Sequence, residues 1–278
     1  MSEETPTELL AYWERFGGKN VLNVPFSELN DVLEKRFLDN LDDILSPTPL
    51  CQGCMDEGVG NKAVGLGGPG IVLSYFSGKA LGKGGWQAVQ AGMETVAEVL
   101  KNEVTEITSH SGCGASAIIY NFLHEDEKES FKTTDDVAIS FAKELAATLN
   151  INYRHIGWDE MKRPITGHPA RIVSYTGTRY LNVDSCLPQA FSFTISRGLL
   201  EKIKDKAFAS IIGKLLLETA CTIATGDHGL GKLATPETPF IILPIGGSML
   251  SLDKVKTEAD EIAGKFGGRV VVLEGFTL

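Results

Sequence analysis

The chain has 278 residues, with 26 Lys and Arg against 36 Asp and Glu, a formal net charge of −10. That balance argues against nucleic-acid binding, which draws on clustered cationic side chains and counterion release. With 43% hydrophobic and 22% charged residues, there is enough apolar surface to offset the entropy of ordering, which excludes an intrinsically disordered chain.

The opening Met1–Thr5 is acidic and leads into no apolar run, so no secretory signal is expected. Two amphipathic helices are predicted next. Leu9, Leu10, Trp13 and Phe16 share the face of the first, and Leu29, Val32, Leu33 and Phe37 that of the second, with Ser27 as N-cap. Pro47 and Pro49 stop the helical pattern; Leu50–Met55 is a short strand or turn, followed by a Gly-rich region, 58–85, holding the strand-like Gly70–Tyr75. Val89, Met93, Val96, Ala97 and Leu100 keep helical spacing over Trp86–Lys101. A strand over Val104–Ser109, a helix over Ala115–Leu123, and a helix capped by Thr134 or Asp135 and carrying Val137, Phe141, Leu145 and Leu149 follow, then a strand over Ile151–Ile156.

Ala170–Tyr175 and Thr178–Asn182 flank Thr176-Gly177 and predict a hairpin, since Gly supplies the positive φ of a tight turn. Beyond it come a helix over Ala207–Ile223, the loop Thr225–Gly231, a strand over Phe240–Ile245, a helix over Lys254–Phe266 and a strand over Arg269–Leu273. The most apolar stretch, Ile211–Ala224, is broken by Lys214 and Glu218 and is too short to cross about 30 Å of hydrocarbon, so no membrane span is expected. The alternation predicts an α/β fold, a mainly parallel sheet flanked by helices, with residues 1–184 as a core and 185–278 as a second α/β unit packed on it.

Cysteines 51, 54, 113, 186 and 221 are odd in number, which in a chain expected to be cytoplasmic points to metal or thiol chemistry instead of a disulfide framework. Cys186 and Cys221 read as buried apolar groups. The chemistry concentrates in Cys51-Gln-Gly-Cys54-Met-Asp56-Glu-Gly58 and His110-Ser-Gly-Cys113-Gly. Both lie where a strand meets a Gly-containing turn, and ligands gather at the carboxyl ends of parallel strands. Thiolate with imidazole suits zinc, and a helix N-terminus favours the thiolate of Cys113. Cys54, His110 and Cys113 give three ligands and an open fourth position, where zinc lowers the pKa of water to about 7.

This arrangement resembles the β-class carbonic anhydrases, whose pattern is Cys-x-Asp-x-Arg, a Gly-rich strand and loop, a helix, and a strand ending in His-x-x-Cys-Gly. Cys54-Met-Asp56-Glu-Gly58 looks like the first motif, Ala63–Val72 like the glycine-rich middle, and Glu94–Leu100 with Val104–Gly114 like the helix and second motif. The match covers about Leu50 to Ala115 and extends to the hairpin at Thr176-Gly177, where the family has a late edge strand. The resemblance implies zinc-bound hydroxide attacking carbon dioxide or a related small electrophile, with Asp56 as the catalytic residue that orients it and Val59, Ile71 and Val72 lining the pocket. It also implies a homodimer or larger assembly, while the acidic charge and the lack of an apolar span predict no nucleic-acid or membrane partner. The family's Arg, which keeps the Asp off the metal, falls on Gly58. Either Asp56 closes the site, or Arg36, Arg154 or Arg163 replaces that Arg in three dimensions.

Blander alternatives stand beside this. Cys51 could complete a closed Cys₃His structural or regulatory site, although in an extended segment residues three apart face opposite ways. A thioredoxin-like redox pair is disfavoured by the residues after Cys54. His124 reads as a surface residue, and His155 and His168 as structural groups or proton shuttles. A zinc hydrolase would use Asp227-His228 in the C-terminal loop. Gly65–Gly70 lacks dinucleotide-binding spacing.

Overall fold

The computed structural model describes residues 25–46, 49–60, 62, 64–66, 81–165, 167–227 and 234–278, with residues 81–84 described by backbone alone. The first expected helix, the strand at Gly70–Tyr75, and Ile71, Val72 and His228 lie outside these residues. Helix α1 (Phe26–Leu38) buries Leu29, Leu33 and Phe37 at the four-residue spacing that brings side chains onto one face. Val32 points outward, and the cap position is Pro25 and not Ser27. The short α2 (Leu41–Leu45) follows.

The first sheet has the order β2-β1-β3-β4, formed by β1 (Cys51–Gly53), β2 (Val64–Gly65), β3 (Glu106–His110) and β4 (Asn152–Ile156), every pairing parallel. Helices α3 (Leu81–Leu100), α4 (Gly114–Phe122), α5 (Glu125–Lys128) and α6 (Thr134–Leu149) accompany it. In α3 the backbone breaks at Gly85, φ 46°, and the regular helix begins at Trp86, whose N–H donates to Glu127 Oε1 at 2.8 Å. Thr133 caps α6: its Oγ1 accepts from Asp136 N at 3.2 Å while Asp136 Oδ2 accepts from Thr133 N at 2.8 Å. The Asp135 carboxylate serves another purpose, accepting from Gly112 N at 2.8 Å.

The second sheet has the order β6-β5-β7-β8 and is again parallel throughout. It comprises β5 (Ile172–Thr176), β6 (Ser192–Ile195), β7 (Phe240–Gly246) and β8 (Val270–Val272), with β9 (Phe276–Thr277) pairing further along β7. Pro244 is tolerated inside β7 because it falls between the residues that β8 and β9 engage on that edge. A helical turn, Arg197–Lys202, helix α7 (Lys206–Thr225) and helix α8 (Leu252–Ala263) complete this unit.

One sequence expectation changes here. The hairpin at Thr176-Gly177 does not form: β5 is an inner strand paired in parallel with β6 and β7, and 178–182 contain no strand. All five residues of β5 are buried, the unbroken burial of a parallel strand covered on both faces. Gly177 has no positive φ. It is needed for close approach, since its carbonyl accepts from Met249 N at 3.1 Å and Leu250 N at 3.0 Å, and a Cβ would strike the Leu250 carbonyl. The division between the sheets falls between Ile156 and Ile172, and β5 belongs to the second sheet.

The two sheets meet edge to edge. Thr194 N donates to Met55 O at 3.1 Å and Ser196 N to Gly65 O at 2.8 Å, and a side chain at Gly65 would collide with the Thr194 backbone. One apolar core accordingly runs through Leu66, Ile107 and Phe141 of the first unit and Phe193, Leu216 and Ile242 of the second. On the other face of the second sheet, Leu33, Phe37 and Ile44 pack on Leu181, Leu243 and Phe276. Full burial of Leu33 and Phe37 contributes roughly 1.5–3 kcal/mol each. α7 has the length and apolarity of a membrane span, but in this fold it buries Ala209, Ile212, Leu216 and Ala220 in the core.

Candidate metal centre

Parallel pairing of β1 with β3 brings their carboxyl ends side by side. Cys54 directly follows β1, His110 ends β3, and Cys113 occupies the N-cap of α4. Between His110 and Cys113 the chain must reverse, which Gly112 allows with φ 68°; a side chain there would run into Trp158. The turn is pinned by Asp135 at the Gly112 N–H and by Arg163 Nη2, which donates to the Gly112 carbonyl at 3.2 Å.

One ligand atom each from Cys54, His110 and Cys113 lies within 4.8 Å of the others. His110 Nδ1 donates to the Ser111 carbonyl at 3.0 Å, and the other ring nitrogen, Nε2, is buried with no hydrogen-bond partner. This is the orientation in which a histidine presents Nε2 to a metal. Sharing a proton with Cys54 and facing His110, the Cys113 thiol is held well below the usual range. Cys54 is pushed up because it keeps that shared proton and is buried. Two sulfurs competing for one proton beside an unpartnered imidazole nitrogen form a donor set that a divalent cation fits.

Cys51 takes no part. Its sulfur lies 3.9 Å from Thr108 Oγ1 and 3.6 Å from the Gln52 carbonyl, and burial pushes its thiol up to about 12. A cavity of about 10 Å³ borders Cys54, His110 and Cys113 on the side of Phe141 and Ala142, room for about a single water.

Asp56 is buried 3.8 Å from His110 Nε2, measured to Oδ2. The same oxygen accepts from Arg163 Nη2 at 3.1 Å. Of the three candidate arginines, Arg163 is therefore the one that reaches it; Arg154 pairs with Glu106 and Glu160. Burial pushes the Asp56 carboxyl up, but Arg163, aided by Glu57 and His168, overcomes this and holds it well below the usual carboxylate range. Gly58 shows why the arginine comes from elsewhere. It has φ +78°, and a Cβ would meet Arg163 N at 3.0 Å and Arg163 Cγ at 3.1 Å, so the loop carrying Arg163 fills that space. The guanidinium also lies over the Trp158 ring, 5.1 Å from its centroid.

Three residues at the site carry no spacing signal. Lys62 is buried with its ammonium donating to the Cys54 carbonyl at 2.9 Å and the Asp56 carbonyl at 2.6 Å, tying the loop together. Burial lowers its pKa. Glu57 is fully buried and pushed up to about 7, burial being the main cause. His168 Nδ1 lies 2.9 Å from Glu57 Oε1 and 3.5 Å from Asp56 Oδ1. Burial would lower its pKa, but the two carboxylates raise it to about 10, which makes it an imidazolium at neutral pH.

The remaining candidates lie apart from this centre. His155 bonds Ser109 Oγ at 2.9 Å and Ser111 Oγ at 3.2 Å, His124 starts α5, and Cys186 and Cys221 are buried. Val59 joins an apolar group with Ile156 and Met161, flanked by Trp158. Searches of protein families, curated proteins and solved structures find no match to this chain.

Proposed function

We propose that the chain is a zinc lyase similar to the β-class carbonic anhydrases, adding water to carbon dioxide or a related small electrophile. The observation that carries this is the convergence of Cys54, His110 and Cys113 within 4.8 Å, beside an Asp56 carboxylate already engaged by Arg163. Sulfur and imidazole donors favour zinc over hard cations. Cys54, His110 and Cys113 would hold zinc with one position left for water, whose pKa would fall to about 7, the source of hydroxide at neutral pH.

The chain's own residues do the rest. Asp56, kept ionised by Arg163, accepts a hydrogen bond from the nucleophile and orients it. Lys62 fixes the carbonyls on either side of Met55, so the loop presenting Cys54 and Asp56 holds its shape. Ile107, Ala138, Phe141 and Ala142 border the cavity beside the trio, an apolar lining suited to a small uncharged group. The same resemblance implies a homodimer.

Metal analysis combined with a stopped-flow assay of carbon dioxide hydration tests this. One zinc per chain and turnover that His110→Ala abolishes are expected; metal-free protein overturns the proposal. Zinc without turnover supports a second reading, a non-catalytic zinc protein. What favours that alternative is the 3.8 Å between Asp56 Oδ2 and His110 Nε2, close enough for Asp56 to become a fourth ligand.

A further inference from the structure

Arg163 restrains only half of Asp56. Its Nη2 engages Oδ2 at 3.1 Å, while Oδ1 is buried and without a hydrogen-bond partner. The terminal torsion of an aspartate is broad and turns at little cost. A carboxylate held at one oxygen could therefore rotate toward a cation bound by Cys54, His110 and Cys113. That rotation would consume the open position.

A second group stands at the other oxygen. His168 Nδ1 is 3.5 Å from Asp56 Oδ1, and the ring is itself aligned by Glu57 Oε1 at 2.9 Å. The Glu57 side chain is 0% exposed and that of His168 22%, so the ring is packed at the edge of the site. Asp56, Glu57 and His168 also bring ligand atoms within 4.8 Å of one another, as a second cation site would. The two carboxylates there already face three basic side chains, however: Arg163 bonds Asp56, His168 bonds Glu57, and the Lys62 ammonium lies against the same loop. His168 Nδ1 bonds Glu57 directly, so the cluster is closed without a second metal.

We propose that His168, oriented by Glu57, is a positioning residue that braces Asp56 from the side away from Arg163 and keeps its carboxylate off the metal. This role rests on Cys54, His110 and Cys113 binding a metal with an open fourth position, as proposed above. It supplies the second restraint that a single bond from Arg163 lacks.

Cobalt(II) in place of zinc gives a visible spectrum that reports coordination, with thiocyanate as the probe of an open position. Wild-type protein should take up cobalt and change its spectrum on thiocyanate addition. His168→Ala should take up as much cobalt but bind thiocyanate at least tenfold more weakly, because Asp56 then occupies the position. His168→Asn, which keeps a donor near the place of Nδ1, should restore most of the response. The double variant His168→Ala/Asp56→Asn should restore it too, since the amide is a poor ligand. An unchanged thiocyanate affinity in His168→Ala overturns the brace and leaves the metal reading intact. Wild-type protein that takes up no cobalt, or never responds to thiocyanate, overturns the metal reading and the brace together. Should His168→Ala fail to fold, Glu57→Gln makes the same comparison: weakened thiocyanate binding supports the brace and unchanged binding overturns it.

Discussion

Glu258 on α8 accepts four hydrogen bonds from three side chains. Arg197 Nε reaches Oε2 at 2.8 Å and Nη2 reaches Oε1 at 2.9 Å, Ser210 Oγ reaches Oε1 at 2.6 Å, and the Tyr175 hydroxyl donates to Oε2. The Arg197 side chain is only 2% exposed and that of Glu258 12%, and Glu201 accepts from Arg197 Nη1 at 2.7 Å. Burial pushes the Glu258 carboxyl up, but these donors more than offset it and hold the group below its ordinary range. Glu258→Gln turns one acceptor oxygen into an amide donor, so two of the bonds face donor against donor and the guanidinium loses its main counter-charge. Removing one partner of a buried ion pair costs about 3–5 kcal/mol. Glu201 remains, which places the expected cost near the lower end, about 3 kcal/mol, or roughly a hundredfold in the folding equilibrium at about 1.36 kcal/mol per tenfold. In urea the midpoint should fall by about 1 M for a slope of about 3 kcal/mol/M. A carboxyl whose folded pKa is depressed stabilises above its unfolded value and loses that contribution as pH falls through the folded value. The gap between wild type and Glu258→Gln should therefore be full at neutral pH and close on acidification below about 4.5, the ordinary value. A loss under about 1 kcal/mol, typical of exposed pairs, or a gap unchanged down to about pH 3, would refute the reasoning.

Cys113→Ser should strip the metal as measured by elemental analysis, while Cys51→Ser, on the opposite side of the segment, should leave metal content unchanged. Arg163→Ala leaves Asp56 buried without its guanidinium and should lower stability by about 3 kcal/mol at neutral pH, read from thermal or urea unfolding, and hydration activity should fall with it. Gly58→Arg, which recreates the family motif in sequence, should lower the melting temperature and fail to rescue Arg163→Ala, because its left-handed backbone and the Arg163 main chain leave no room for a side chain.

Local periodicity made the helices legible. Val89, Met93 and Val96, or Val137, Phe141 and Leu145, repeat at the spacing that places side chains on one face, and each set is buried as expected. The convergence of Cys54, His110 and Cys113 was legible for a related reason: they sit at strand ends next to glycines, and parallel strands bring such ends together. The hairpin at Gly177 was misjudged because a glycine required for close packing carries the same letter as one required for a turn. Only the contact with Leu250 distinguishes the two.

Two thiols and an imidazole at strand-end turns, most of the helices, and the apolar faces that build the core were thus determined by sequence alone, since each depends on residues a few positions apart. Tertiary structure decided the partners of Asp56. Arg163 lies 107 positions away from Asp56, and His168 reaches Glu57 across 111. Nothing in local spacing encodes such pairings. They arise because a buried charge must find its counter-charge wherever the packed chain delivers one, and here the loop between the two sheets delivers both.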